Sequence, residues 1–322
     1  MISCGTEKEK TMNQTDERDF FVDKSDDGLR LDIYLTEQTE LTRSHIKKLI
    51  RDDLILINGT PASKSGIIIS SDDRIHMSVP VAERIDIVPE NIPLDVVYED
   101  GDLIVVNKPK DMVIHPAPGH PCHTLVNALL YHCKGDLSGI NGEIRPGIVH
   151  RIDKDTTGLI VACKNDTAHQ SLASQFAVHS ISRRYQAVVC DNLTNDDGTI
   201  DHAIARDLRD RKRMQVCDES KGRHAVTHYH VIDHLNKQYN HIECRLETGR
   251  THQIRVHMAS IRHPLLGDPV YGREDARFKD LRGQVLHAKS LGFIHPASGQ
   301  YMEFDSELPP YFVSVLERIK KL

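Results

Sequence analysis

The chain lacks any long apolar run. Across its 322 residues, no hydrophobic stretch approaches the ~18–20 residues needed to cross a bilayer. The opening MISCGTEKEK has no apolar segment of the kind found in a secretory signal. Cysteine is sparse and unpatterned: seven residues, an odd number, with no CxxC pair. That excludes a disulfide framework or a zinc ribbon and fits reduced thiols in the cytoplasm. No DFG and no glycine-rich phosphate loop accompany the HRID at 150–153, so it is not a kinase catalytic loop. There is no HExxH. His252 and His257 stand five apart, with no acidic partner at ligand spacing, so the 20 histidines give no reason to expect a catalytic metal.

An overall positive charge is missing as well: the net formal charge is −6. Its location matters more than its sum. Residues 1–27 carry eight acids against four bases, residues 28–80 seven of each, and residues 81–96 four acids against one base. The remainder is therefore close to neutral, and local basic clusters survive in it. One comprises Arg206, Arg209, Arg211, Lys212 and Arg213. A basic stripe, not the global sum, decides whether a surface can meet phosphate.

With 39% hydrophobic and 27% charged residues, the chain has the composition of an ordinary folded protein, and its length allows two domains. Residues 1–17 are polar and aperiodic and are expected to be a disordered tail. Residues 18–80 form a small module. Leu29, Leu31, Ile33 and Leu35 mark a short helix or turn. Thr42 or Ser44 caps a second helix with Ile46, Leu49 and Ile50 on one side and Arg43, Lys47, Lys48 and Arg51 on the other. A strand over Leu54–Ile57, an Asn58-Gly59 turn and a strand over Arg74–Val79 complete it. Residues 81–96, with Pro89 and Pro93, are expected to be a linker. Residues 97–322 alternate short β-type runs with helical stretches at His123–Tyr131, Ala168–Phe176 and His252–Ala259, and a last helix follows Pro309-Pro310. The expected class is α+β with a mainly antiparallel sheet.

Two blocks concentrate the chemistry. Residues 150–164, HRIDKDTTGLIVACK, put Asp153 in a polar turn just before the apolar run Leu159–Cys163. A carboxylate held in a tight turn against a core strand is rigidly placed, as a reactive group must be. Residues 247–272, ETGRTHQIRVHMASIRHPLLGDPVYG, put Arg255 on a helix expected to start within Thr248–Thr251. Between them, Arg183-Arg184-Tyr185 opens a strand, and Leu286-His287-Ala288 opens another.

The set HRxDxxTxGL, RRYxA, TGRTHQIRVH and LHA, in this order, resembles the family of RNA pseudouridine synthases that modify large-subunit ribosomal RNA. Within it, the likeness is to the branch that acts on the helix 69 stem-loop of 23S rRNA. The N-terminal order GLRLDxYL, basic helix, LING and a final DxI strand resembles the S4 RNA-binding domain. There Ser71-Asp72-Asp73 replaces the family's Gly-Asp, a change expected to loosen that turn. The resemblance implies that Asp153 is the catalytic carboxylate, either as nucleophile at C1′ or as base on the sugar. It implies that Arg255 pairs with Asp153, ideally through a two-pronged guanidinium, and that Tyr185 stacks on a flipped base. Arg151 would fill the space the nucleotide leaves, Leu286 would wall the pocket, and His115 would shape a loop. Arg43, Lys47, Lys48 and Arg51 would meet phosphates, which position rather than specify. The expected partner is 23S rRNA or its large-subunit precursor, bound by a cytoplasmic monomer with no metal, no cofactor and no membrane. The residues leave open the same isomerisation on another RNA, a non-catalytic RNA-binding ribosome-assembly factor, and a histidine-based metal hydrolase.

Overall fold

The computed structural model describes residues 15–80, 87–117, 120–140, 145–210 and 212–322. The chain divides into two compact units, residues 1–84 and 85–322. In the first unit, β1 (Thr15–Phe21) is followed by α1 (Leu31–Gln38), α2 (Arg43–Arg51), β2 (Ile55–Ile57), β3 (Thr60–Pro61) and β4 (Arg74–Pro80). The strands form an antiparallel sheet in the order β1-β4-β2-β3. Leu31, Leu35, Ile46, Ile55, Ile75 and Met77 are fully buried between helices and sheet. Thr42 caps α2 by accepting from the His45 amide. Asn58 and Gly59 both take positive φ, 51° and 80°, the combination that suits a two-residue hairpin turn.

Three expectations need correction here. Strand β1 begins at Thr15, three residues ahead of the expected end of the tail; Thr15, Asp16 and Glu17 pair with Pro80, Val79 and Ser78. Residues 1–14 lie outside the described residues. The Ser71-Asp72-Asp73 turn is not loosened. Asp72 itself takes the left-handed conformation, φ 74°, and the turn is tied by the Ser70 amide on Asp73 and the Ser71 amide on Asp27, both at 2.8 Å. Finally, Arg43 is partly spent inside the unit. It donates at 3.1 Å to Asp32, whose side chain is fully buried and also takes the fork of Arg30. Arg51 faces Asp52 at 3.3 Å. Lys47 and Lys48 form no ion pair among the described residues.

The second unit opens with β5 (Val96–Glu99), β6 (Leu103–Lys108), α3 (Leu125–His132), β7 (Thr157–Cys163), α4 (Asp166–Ala177) and β8 (Ser182–Cys190). Next come β9 (Asp197–Asp201), β10 (Ala203–Arg206), β11 (Met214–Cys217), β12 (Val226–Leu235) and β13 (Tyr239–Leu246). It ends with α5 (Gln253–Ser260), β14 (Leu286–Ile294), β15 (Tyr301–Asp305) and α6 (Pro310–Lys320). A nine-stranded sheet runs β5-β6-β7-β14-β8-β13-β12-β9, with β15 beside β14, and β10 and β11 form a separate hairpin. Only the β14–β7 pair is parallel among the described strands. Strand β7 is buried along its whole length, as expected of a central strand covered on both faces.

The supposed linker is not free. Residues 81–86 lie outside the described residues, but from Ile87 onward the segment belongs to the second unit. Ile87, Ile92 and Leu94 pack on its core. The Glu90 amide donates to Asn127 O at 2.9 Å, and Asn127 Nδ2 donates to Val88 O at 2.8 Å. Among the described residues no helix is long and apolar enough to cross a membrane.

Hydrogen bonds from Arg30 hold the Asp32 carboxyl below its ordinary pKa, with Arg43 adding to the effect against the opposing pull of burial. Asp32→Asn should therefore destabilise the first unit at neutral pH by about 1–3 kcal/mol. A depressed carboxyl stabilises above its unfolded value, near pH ~4, and loses that contribution as pH falls through the folded value. The gap between wild type and variant should shrink below that pH. Hydrogen exchange of residues 31–79, followed by mass spectrometry across pH, reads it; a gap that grows on acidification would refute the assignment.

Candidate active site

The parallel β7–β14 contact brings the site together. Ala288 on β14 lies opposite both Gly158 on β7 and Tyr185 on β8. The loop that carries Asp153 into β7 therefore ends beside Leu286 and Tyr185. Gly158 makes this approach possible: it has φ 109°, and a β-carbon there would sit 2.3 Å from Ala288 O. Below the loop, Lys108 is 1% exposed. Its ammonium donates to the carbonyls of Pro109, Met112 and Lys154 at 2.8, 2.9 and 2.9 Å. Three carbonyls match the three protons of an ammonium, although burial pulls the Lys108 pKa down to about 7 against the nearby Asp155 and Asp153. The Asp153 loop is further closed by the Thr156 amide on Asp153 O at 3.1 Å and by Gln284 on the Thr156 hydroxyl at 3.0 Å.

Asp153, Arg151, Tyr185, Leu286 and Arg255 all line one cavity of about 360 Å³. Arg255 Nη1 donates to Asp153 Oδ2 at 2.8 Å. The two-pronged contact expected at Asp153 is made elsewhere. Arg255 Nε and Nη2 grip Asp268, at 2.7 and 2.9 Å, and Asp153 receives a single hydrogen bond from Arg255. Asp268 is completely buried at its side chain. Its Oδ1 also accepts from the amides of Val270 and Tyr271, at 2.8 and 3.0 Å. Burial works against the Arg255 charge, but the hydrogen bonds and charge of Asp268, then those of Asp153, outweigh it and raise its pKa. The guanidinium also lies over the Tyr271 ring, 5.2 Å from its centre.

Helix α5 runs Gln253–Ser260, within one residue of the expected His252–Ala259, and it is not started by Thr248–Thr251. His252 precedes it in the left-handed region, φ 57°, a strained backbone for a histidine. Thr248 is instead a buried tie: it accepts from the Val226 amide and donates to Gln253 Oε1, at 3.0 and 2.8 Å. The turn points His252 into the cavity, its Nδ1 2.9 Å from the Tyr271 hydroxyl and its Nε2 3.8 Å from Asp153 Oδ1. Burial lowers its pKa, opposed by Asp153, which favours the neutral ring. Burial also pushes His150 down to about 3 and His115 down to about 4. His150 stacks on Phe176 and accepts from the Val161 amide, and so acts as structure. Tyr185 is 8% exposed, and burial raises its pKa; it presents a neutral ring.

Two groups of possible metal ligands lie among the described residues, Glu90/Cys122/His123 and Asp100/Asp102/His295, each with ligand atoms within 4.8 Å of one another. Sequence spacing missed both because they assemble from distant segments. Neither lines the cavity. The second is already satisfied internally. His295 Nδ1 accepts from the Ala297 and Ser298 amides, so its Nε2 carries the proton given to Asp100. The basic helix of the first unit and this cavity belong to separate units.

The model of the RNA pseudouridylate synthase family matches residues 102–260, and that of the S4 domain matches residues 29–75. The uncharacterized RNA pseudouridine synthase YlyB of Bacillus subtilis is 47% identical over 91% of this chain and 94% of that protein. The chain belongs to the RNA pseudouridylate synthase family. Ribosomal large subunit pseudouridine synthase D of Zymomonas mobilis is 50% identical over 88% of this chain and 91% of its own length. The Escherichia coli K12 protein of the same name is 41% identical over 90% of each. Among solved structures, human RNA pseudouridylate synthase domain containing 1 superposes with a TM-score of 0.57 at 25% identity, covering 71% of this chain and 89% of that one. The enzyme is thus an RNA isomerase with an N-terminal S4 domain.

In this pseudouridylate synthase Asp268 decides where Arg255 points. Asp268→Asn removes the anion that compensates a buried guanidinium, and should destabilise the second unit by about 3–5 kcal/mol. Turnover should fall further than loss of folded protein explains, because the Arg255 donor to Asp153 loses its anchor. Urea unfolding and tritium release from 5-tritiated uridine RNA measure the two effects. A variant with wild-type stability would show that the ion pair does not anchor Arg255.

Proposed function

We propose that the protein isomerises uridine to pseudouridine in large-subunit ribosomal RNA, with helix 69 of 23S rRNA as its target and Asp153 as the catalytic carboxylate. The observation that carries this reading is the meeting of Asp153, Arg255 and Tyr185 on one cavity wall. The names of the Zymomonas and Escherichia relatives support the choice of RNA. The reaction breaks the N1–C1′ bond, turns the base and joins C5 to C1′; the C5 proton leaves and N1 gains one. No atom is lost and no electron is transferred.

The side chains divide this work. Asp153, held by Arg255 Nη1, presents Oδ1 toward the cavity as nucleophile at C1′ or as base on the sugar. Tyr185 offers a neutral aromatic face to the detached base, with Leu286 closing the apolar wall. Arg151 is exposed at the rim and replaces part of the stacking lost when the nucleotide leaves its helix, a loss of about a few kcal/mol. Lys47 and Lys48 supply the phosphate contacts of the S4 unit, with Arg51 beside them; Arg43 contributes less, because Asp32 holds it.

Carbodiimide treatment and primer extension on total RNA should show stops in helix 69 that vanish when the gene is deleted. The wild-type gene should restore them and Asp153→Asn should not, while the purified variant still binds RNA. Unchanged stops refute the target, and turnover by Asp153→Asn refutes the carboxylate.

Removing residues 1–80 should weaken RNA binding more than it slows the chemical step. Each lost phosphate contact lowers the salt slope by ~0.7–0.9. Binding at several salt concentrations, set beside single-turnover rates at saturating enzyme, tests this. An unchanged affinity and slope would remove the S4 unit from RNA binding.

A further inference from the structure

Several charged groups on the cavity wall have no role in that division of work, Arg183 among them. Arg183 stands on β8 two residues before Tyr185 and on the same face of the sheet, so the two side chains leave the strand roughly 7 Å apart. It is 7% exposed and lines the cavity. Its Nη2 donates to the Glu247 carbonyl at 3.1 Å. Its Nε is buried with no acceptor among the described residues, and no hydrogen bond of Nη1 occurs among them. The guanidinium lies over the Phe176 ring, 5.6 Å from its centre. No described carboxylate forms an ion pair with it.

The neighbouring backbone is shaped around this group. A β-carbon on Gly249 would lie 2.4 Å from Arg183 Nη1, so a larger residue there would make the guanidinium tip shift. Arg250, the next residue, also lines the cavity. Its Nε donates to His224 O at 3.0 Å, and it too has no carboxylate partner among the described residues. Burial lowers the Arg183 pKa, and the positive charge of Arg250 adds to that pull against Tyr185. Two close guanidinium groups, one of them buried, are unfavourable without an anion.

A planar fork of N–H donors in a sheltered site matches a phosphate better than it matches a base edge or a hydroxyl. We propose that Arg183, with Arg250 beside it, forms a phosphate subsite that takes the backbone phosphodiester adjoining the uridine seated on Tyr185. This rests on the reading that the cavity receives a flipped uridine. The subsite anchors the nucleotide by its charge while Tyr185 holds its base, so the C1′ atom is fixed from two sides before Asp153 acts. Because the anchor engages the ground state, its loss raises KM, and misplacement of the sugar lowers kcat as well.

The test uses the full-length protein and an RNA stem-loop carrying the uridine found by primer extension, with one methylphosphonate replacing the phosphate on either side of it. Single-turnover tritium release and affinity are measured for wild type, Arg183→Gln and Arg183→Lys. One of the two neutral linkages should slow wild type by about ten- to a hundredfold, the value of a charge-assisted hydrogen bond. Arg183→Gln should lose a similar factor on unmodified RNA and little more on the neutral RNA, and Arg183→Lys should recover part of the loss. If Arg183→Gln does not fold, the neutral linkages on wild type and the lysine variant still decide. Wild type indifferent to both linkages, or losses that simply multiply in the glutamine variant, would overturn the subsite; the latter would assign Arg183 to the base or to structure. If wild type releases no tritium from unmodified RNA, the isomerase reading fails separately, and the affinities of the same RNAs still judge the subsite.

Discussion

Asp268 does not line the cavity, yet the placement of Arg255 within it depends on Asp268. Its carboxylate is buried and receives two donors from Arg255 and two backbone amides. A planar guanidinium gripped on one edge has its remaining direction fixed, and here that direction ends on Asp153. The orientation of the Asp153 carboxylate thus follows from a pair behind it, in a place where water does not screen the charges. Tyr271 extends the same network. Its amide donates to Asp268, its ring lies under Arg255, and its hydroxyl accepts from the Met214 amide and meets His252. The strained His252 backbone is the junction at which helix, loop and cavity are adjusted to one another.

The sheet supplies the other half of the constraint. Strands β7, β14 and β8 lie side by side although they are far apart in the chain. Their register places Gly158, Ala288 and Tyr185 in one row. A side chain at position 158 would push β7 off β14 and separate the Asp153 loop from the tyrosine. Lys108 secures the loop from beneath through the Lys154 carbonyl. A lysine is an unusual core residue, but here all three of its donors are used, so its burial leaves no polar group unmatched.

How much of this was legible in the sequence depended on whether a signal was local. The apolar run of β7, the cap and apolar face of α2, the proline start of α6 and the Asn58-Gly59 turn are written in neighbouring residues, and the structure has them where they were expected. Strands β9 and β15 were not visible: their side chains alternate but are largely exposed, so they carry little apolar signal, and the sheet edge defines them. Asp153, Tyr185, Arg255 and Leu286 could be picked out because they sit in distinctive blocks. Asp268 and His252 lie in the second block, but nothing local marks Asp268, and the spacing of His252 speaks only against a metal. Nothing in the order of residues says that the fork of Arg255 belongs to Asp268 and only its third donor to Asp153. Lys108, within NKPK, resembles any surface lysine until the loop is folded over it.

Charge explains why a protein of net −6 can still receive RNA. Arg145, Arg151, Arg183 and Arg250 line the cavity together with Arg255 and one carboxylate, Asp153. Arg255 is compensated by Asp268; the other four have no ion-pair partner among the described residues. A wall of uncompensated cations around a single carboxylate opposes folding slightly and favours any polyanion that can enter. Specificity for one uridine then need not come from total charge. In the proposed isomerisation it would come from the requirement that a single nucleotide reach past these cations and lay its base on Tyr185 within range of Asp153.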